Sequence, residues 1–405
     1  MRSIELFTGA GGLALGIHRA GFHHLAVIER DRNSCDTLRL NRFRGLVDWP
    51  IEQRDAVTTD YAKYPQGIEL LAGGAPCQPF SLGGKHAGDA DVRNMFPEVF
   101  RAVRELCPQT ILLENVRGLT RASFRPYFDY IISQIASPQI EFLSGEAWTE
   151  HAARLSAERD RQSSDGVKAR DQRPMECYHI IHRLCNVADF GVPQVRQRVF
   201  IVGFRHDLQI DWAFPAPTHS EDALLYAQYV DSSYWAEHNI APKPMPTRLA
   251  GRIARLAAKP TPLSRRWRTV RDAVGDLPEP QDYAQHPAYD NHVGIPDARA
   301  YKGHTGSPWD WPAKAIKAGD HGNPGGENML RRDDGSVRYF TVRELARLQT
   351  FPDTWYFANS WTESRRQLGN AVPVLMSELL ARSIHAALAR CAADTVPQQL
   401  LAVGD

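Results

Sequence analysis

The chain has 405 residues, 43% of them hydrophobic and 23% charged, a balance that excludes a disordered or fibrous protein and leaves room for two domains. Its net charge of +1 gives no global sign of a polyanionic partner, so any nucleic-acid surface has to come from local segregation of charge. Six cysteines without a C-x-x-C pair argue against a zinc site and a disulfide-stapled scaffold. The N-terminus has no apolar leader, and no window approaches the roughly eighteen apolar residues of a membrane span, so a soluble, cytoplasmic protein is expected.

In chain order, "SIELF", "HLAVIE", "IELLAGG" and "TILLENV" read as strands, alternating with helix-like "LALGIHRAG", "SCDTLRLN" and "MFPEVFRAVREL". That alternation predicts βα units in a doubly wound α/β domain with a mixed, mostly parallel sheet. The loop "FTGAGG" follows the first strand, and Gly9, Gly11 and Gly12 let a ligand approach the backbone. The second strand ends at Glu29, where Rossmann-like domains place an acid for ribose hydroxyls. The glycines lack the G-x-G-x-x-G spacing, which suits a nucleoside without a pyrophosphate, such as S-adenosylmethionine. Asp55 falls at a further strand end and could accept from the adenine amino group.

In "GGAPCQPFS", Pro76 and Pro79 stiffen the loop around Cys77. By itself this is a tight turn holding a small buried thiol, or a turn that aims one. Glu114 closes the strand "TILLENV". Residues 145–175 form a polar stretch that reads as an inserted helix followed by a loop. "YHIIHRLCNV" and "RVFIVGF" then read as two strands joined through "ADFGVPQVRQ", ending the sheet near residue 205. Gln194, Arg196 and Arg198 alternate, so a continuous strand would present all three on one face. From about 211 the composition turns to Pro, Trp, His, Gly and Arg with little periodicity, marking a second, irregular domain. Its segment 251–271 carries seven basic residues and no acid. The final "VPVLMSELLARSIHAALARCAA" reads as an amphipathic packing helix.

The ordered segments "ELFTGAGG", "GGAPCQPFS", "LLENVRGL", "GVPQVRQRVFIVGF", "RYFTVRELARLQTFPD" and "QLGNAVPV" resemble the sequence blocks of the DNA (cytosine-5) methyltransferases of bacterial restriction-modification type. The resemblance covers nearly the whole chain outside the insert and the irregular region. It implies transfer of a methyl group from S-adenosylmethionine, leaving S-adenosylhomocysteine, to carbon 5 of a flipped-out cytosine in double-stranded DNA, with no metal. Cys77 would be the nucleophile, Glu114 would hold ring nitrogen N3, and Asn115 would position the Cys77 loop. Gln194, Arg196 and Arg198 belong to the same catalytic set, the two arginines orienting Glu114 and contacting the cytosine oxygen or its phosphate. The glycine-rich "SLGGKHAGDADVRN" would close over the extruded base.

Cofactor contacts implied by the resemblance are Phe7, Gly9, Gly11, Gly12, Glu29, Asp55, Phe96, Asn370 and Val372. Residues 1–210 would then be catalytic, 211–365 a target-recognition domain, and 366–405 a return to the catalytic domain. Ser81, Arg265, Arg266 and Arg268 are expected at the DNA. Ala315 and Ile316 stand where family members often carry a threonine-hydrophobic pair, so base contacts are not carried over there. A monomer is expected, acting on the same site as a cognate restriction endonuclease without stable contact. The rivals are a tRNA methyltransferase of the same fold, whose Cys-Phe-Thr block is absent here, and a catalytically idle DNA-binding relative, which the intact blocks disfavour.

Overall fold

The computed structural model describes residues 1–76, 94–164, 177–302, 304–319 and 328–395. The short apolar runs of the first half form β1 (Arg2–Leu6), β2 (His23–Glu29), β3 (Ile51–Gln53), β4 (Leu70–Gly73) and β5 (Thr110–Val116). They are followed by β6 (Tyr178–Asn186), the two-residue β7 (Gln194–Val195) and β8 (Gln197–Arg205). All except β7 join one sheet of order β3-β2-β1-β4-β5-β8-β6. β1 to β5 run parallel, and β8 is antiparallel to both of its neighbours. The connections use α1 (Gly12–Arg19), α2 (Arg32–Phe43), α3 (Phe96–Leu106), α4 (Arg125–Ala136) and α5 (Trp148–Ser164).

A sheet covered on both faces needs apolar residues at successive positions rather than alternate ones. The central strands meet that demand, and their alternation divides them between two cores. Ile4, Leu6, Leu71, Ile111, Leu113 and Ile201 pack under α3 and α4, while Leu70, Ala72, Leu112, Phe200 and Val202 face α1 and the C-terminal helix. Strand order reverses between β1 and β4, so the loops at their carboxyl ends flank a crevice, the usual ligand position in such sheets. One of these loops is Phe7–Gly11. The other begins at Gly74 and leads to Cys77, which lies outside the described residues.

The polar insert is partly structural. α5 packs on α4 through Trp148, whose ring centre lies 5.1 Å from that of Tyr127. The buried His151 bridges the Tyr130 hydroxyl at 3.0 Å and the Ile140 carbonyl at 3.1 Å. Residues 165–176, the loop expected after the helix, lie outside the described residues.

The irregular region consists of short elements: β9 (His219–Ser220), α6 (Glu221–Tyr229), α7 (Ser233–Glu237), α8 (Ala250–Ala257), β10 (Arg265–Arg266), α9 (Val270–Val274), β11 (Ser307–Pro308), β12 (Ala313–Lys314), β13 (Met329–Arg331) and β14 (Val337–Tyr339). They are followed by α10 (Val342–Leu348), α11 (Trp361–Asn370) and α12 (Val374–Thr395). Phe340, Leu345, Phe351, Trp355 and Phe357 share a core with Val27, Leu38 and Trp49 of the first half and with Val270, Val274, Ala313 and Leu330 of the irregular region.

The membrane expectation also needs correction. The run Trp361–Ala393 is long and apolar enough, by length and composition, to cross a bilayer. However, 61% of its most apolar window is buried within the protein, where Met376, Leu380 and Ile384 meet Leu13 and Ile17 of α1. A Cβ on Gly16 would lie 2.3 Å from the Ser377 Cβ, so α1 and α12 approach at backbone distance. This run is a core element.

Candidate active site

The crevice between β1 and β4 is lined first by the glycine loop. Phe7, Gly9 and Gly11 adopt positive φ values of 56, 57 and 89°, so the chain reverses within a few residues. The carboxylate of Glu29 fastens this loop to the end of β2, accepting the Gly9 N–H at 2.8 Å and the Asp31 N–H at 2.7 Å. A carboxylate oxygen has two lone pairs, so each can still accept a hydroxyl from the crevice.

The three glycines serve different purposes. A Cβ on Gly9 would meet nothing within 4 Å, whereas one on Gly11 would lie 2.9 Å from Leu38 and one on Gly12 2.3 Å from the Val372 carbonyl oxygen. Gly9 therefore borders open space, while Gly11 and Gly12 allow close packing of the loop against α2 and the segment before α12. An open glycine face and an acid at the adjacent strand end fit a nucleoside-bearing cofactor.

The other expected cofactor residues fall around the same sheet edge. Asp55 caps a short turn by accepting the Val57 N–H at 3.1 Å and pairs with Arg30 at 3.0 Å. The Val57 hydrogen bond, with Arg30 assisting, holds its carboxyl below the usual range. Phe96 begins α3, is 1% exposed and stacks on Phe100, with Phe7 packed against the same core. Asn370 is exposed at the end of α11, and Val372 is buried with its carbonyl against Gly12.

The second wall is built by β5 and β8. Glu114 is buried, and Arg198 Nε lies 2.6 Å from its Oε1. Its Oε2 lies 3.3 Å from where a Gly74 Cβ would be, so the carboxyl borders the root of the Cys77 loop. Burial raises the Glu114 pKa despite the opposing charges of Arg198 and Arg196. Asn115 donates from Nδ2 to the Ala75 carbonyl at 3.2 Å, tying that root to β5. Cys77 itself and Ser81 lie outside the described residues.

Gln194, Arg196 and Arg198 do not share one strand face. The strand breaks at Arg196, because β7 leaves the main sheet to pair with β12, with Gln194 opposite Ala313. Arg198 alone forms the ion pair with Glu114. Arg196 donates instead to the carbonyls of Ile316 at 2.9 Å and Gly369 at 2.6 Å. Gln194 accepts the Ile316 N–H at 3.0 Å and donates to Gln349 Oε1 at 3.2 Å. Sequence reasoning missed Gln349, a wholly buried polar residue whose helical context carries no chemical signal.

The basic run also divides. Arg252 pairs with Glu221 and Asp222, Arg271 with Asp310, and Arg266 with Asp272 and Glu237. Arg266, expected at DNA, is held in ion pairs by Asp272, six residues on, and by Glu237. Arg265 and Arg268 have no ion-pair partner among the described residues. Both line a cavity of about 710 Å³ together with His219 and Ser264. Among the described residues no group of three or more His, Cys, Asp or Glu side chains could hold a metal ion.

Comparison with known proteins bears on this arrangement. The sequence model of the C-5 cytosine-specific DNA methylases matches residues 1–138 and 174–386, omitting the stretch that contains α5. The Type II methyltransferase M.NgoMIV of Neisseria gonorrhoeae is 31% identical over 390 residues, spanning 95% of this chain and 97% of its own. M.Eco47II of Escherichia coli, also a Type II methyltransferase, is 30% identical across 94% of this chain and 78% of its own. The fold is shared with the S. pombe Dnmt2 methyltransferase, at a TM-score of 0.54 and 16% identity, covering 96% of this chain and 99% of that one.

Proposed function

Since this chain belongs to the C-5 cytosine-specific DNA methylase family, whose activity implies use of S-adenosylmethionine, we propose that it methylates one cytosine of a short duplex sequence through a covalent adduct at Cys77. The observation that carries this reading is the buried Glu114–Arg198 pair facing the root of the Cys77 loop, beside the glycine-lined crevice.

Carbon 5 of cytosine is too electron-poor to attack an electrophilic methyl group unaided. The Cys77 thiolate adds to carbon 6, making the ring an enamine that is nucleophilic at carbon 5. Bound S-adenosylmethionine supplies the electrophilic methyl group and leaves as S-adenosylhomocysteine. Glu114 faces N3, and its raised pKa favours a carboxyl that carries a proton to the nitrogen as negative charge develops on the ring. Arg198 fixes the orientation of that carboxyl and points donors toward the cytosine oxygen. A base removes the proton from carbon 5, the Cys77–carbon 6 bond breaks, and the aromatic ring is restored. No step calls on a metal. Within stacked duplex neither face of the ring is accessible, so the base is extruded, at a cost of about a few kcal/mol.

Glu29, Asp55, Phe7, Phe96, Gly9, Asn370 and Val372 would hold the cofactor. The irregular region would read the duplex, with Arg265 and Arg268 on its backbone and Ser81 near the extruded base. In keeping with relatives named Type II methyltransferases, the chain would protect DNA from a cognate restriction endonuclease, and we further propose that it acts as a cytoplasmic monomer without binding that enzyme. Methyl transfer from labelled S-adenosylmethionine to unmethylated duplex, with bisulfite sequencing of the product, tests the reading. Methylation confined to cytosines of one short motif is expected, and labelling of tRNA alone would overturn it.

A further inference from the structure

Arg196 is 1% exposed and pairs with no carboxylate among the described residues. Its guanidinium is hydrogen-bonded by carbonyl oxygens, and the Glu114 charge acts on it only through space, which leaves it costly in a protein interior. The geometry around it suggests what the arrangement achieves. One edge of the planar fork reaches the Ile316 carbonyl at 2.9 Å, in the irregular region. The other reaches the carbonyls of Gly369 at 2.6 Å and Ala371 at 3.3 Å, directly before α12. Few side chains other than arginine can hold three carbonyls from two segments in one plane.

Neighbouring amides brace the same junction. Gln194 accepts the Ile316 N–H and donates to Gln349 Oε1. Gln349 in turn donates to the carbonyls of Leu368 and Ala371. The segment 368–371 is thus gripped by Arg196 and Gln349, and the next residue, Val372, sets its carbonyl against Gly12 at the start of α1. The segment therefore ends against the start of α1, directly after the glycine loop.

We infer that Arg196 is a positioning residue that links the DNA-reading region to the cofactor crevice, rather than a group that touches the cytosine. This rests on the cofactor assignment made above. Any shift of β12 and Ile316 on DNA is passed through the fork of Arg196 to residues 369–372. Duplex and cofactor therefore tighten each other's binding, as a reciprocal coupling requires.

Calorimetric titration of the full chain with S-adenosylhomocysteine, alone and with target duplex, tests this directly. In Arg196→Lys a single ammonium cannot bridge Ile316 and Gly369, so the dissociation constant should rise about tenfold and the tightening by duplex should disappear, an effect of ordinary allosteric size. The KM for S-adenosylmethionine should rise more than kcat falls. Arg198→Lys should do the reverse, lowering kcat while leaving the dissociation constant unchanged. If Arg196→Lys does not fold, Gln349→Leu removes the second grip on Ala371 and should weaken cofactor binding severalfold. A folded Arg196→Lys, or Gln349→Leu in its place, that binds cofactor like wild type with the duplex effect intact overturns the inference. So does a fall in kcat with cofactor binding unchanged, which would put Arg196 in the catalytic pocket. Wild type that binds no S-adenosylhomocysteine would instead refute the cofactor assignment itself.

Discussion

Replacing Gly12 by alanine would place a methyl carbon 2.3 Å from the Val372 carbonyl oxygen, with the Ala371 Cβ and a Phe351 ring carbon both at 3.3 Å. Ordinary contact lies near 3.5 Å, so α1 and the 371–372 segment must separate by about 1 Å. Both sides are backbone in a packed core, which leaves no flexible side chain to yield. Overpacking of this kind costs about 1–3 kcal/mol, a fall in Tm of roughly 1–4 °C for a chain of this size. Gly9→Ala is the contrasting case, because its methyl would meet nothing within 4 Å. It carries the left-handed backbone cost of about 1–2 kcal/mol and otherwise intrudes only on the crevice. Differential scanning fluorimetry and calorimetric titration with S-adenosylhomocysteine read both effects: each variant should lose some stability, from clash at Gly12 and from backbone conformation at Gly9, and each should lose affinity. Gly12→Ala with wild-type Tm and affinity would refute the placement of residues 371–372 against α1.

Other consequences concern charge. Glu5 is wholly buried, and burial, with the Glu29 charge adding to it, pushes its carboxyl well above the ordinary value near 4.5. The folded chain then keeps a proton that the unfolded chain has released, so stability should fall as pH rises above about 4.5, by up to about 1.4 kcal/mol per unit. Glu5→Gln should flatten that slope in urea melts between pH 5 and 8; an unchanged slope would mean Glu5 is ionised. Arg266→Ala would leave Asp272, 10% exposed, without its main partner and should cost about 3 kcal/mol, read as a lower urea midpoint. Arg268→Ala should leave stability within about 0.5 kcal/mol while reducing the salt slope of DNA binding by about 1. An unchanged slope would remove Arg268 from the DNA contacts.

The strand-end acids were legible because an apolar run stops where its last residue becomes polar, and both Glu29 and Glu114 stand at such points. Arg196 was misplaced because strand alternation was extended through a break that only the pairing of β7 with β12 imposes. Its partners are carbonyls more than a hundred residues away, and carbonyls leave no mark in a sequence. The ion pairs of Arg266 were hidden for a related reason: a run without acids looks uncompensated until Asp272, just past its end, and Glu237 reach it.

The central claim is that Cys77 adds to carbon 6 before the methyl group arrives. A target duplex with fluorine at carbon 5 cannot lose that substituent as a proton, so the addition product should persist after methyl transfer. Mass spectrometry of peptides from such a reaction should find the fragment containing Cys77 joined to methylated DNA, and Cys77→Ser should yield no adduct. Methylation of the ordinary duplex with no adduct to the fluorinated one, or an adduct at another residue, would contradict the account.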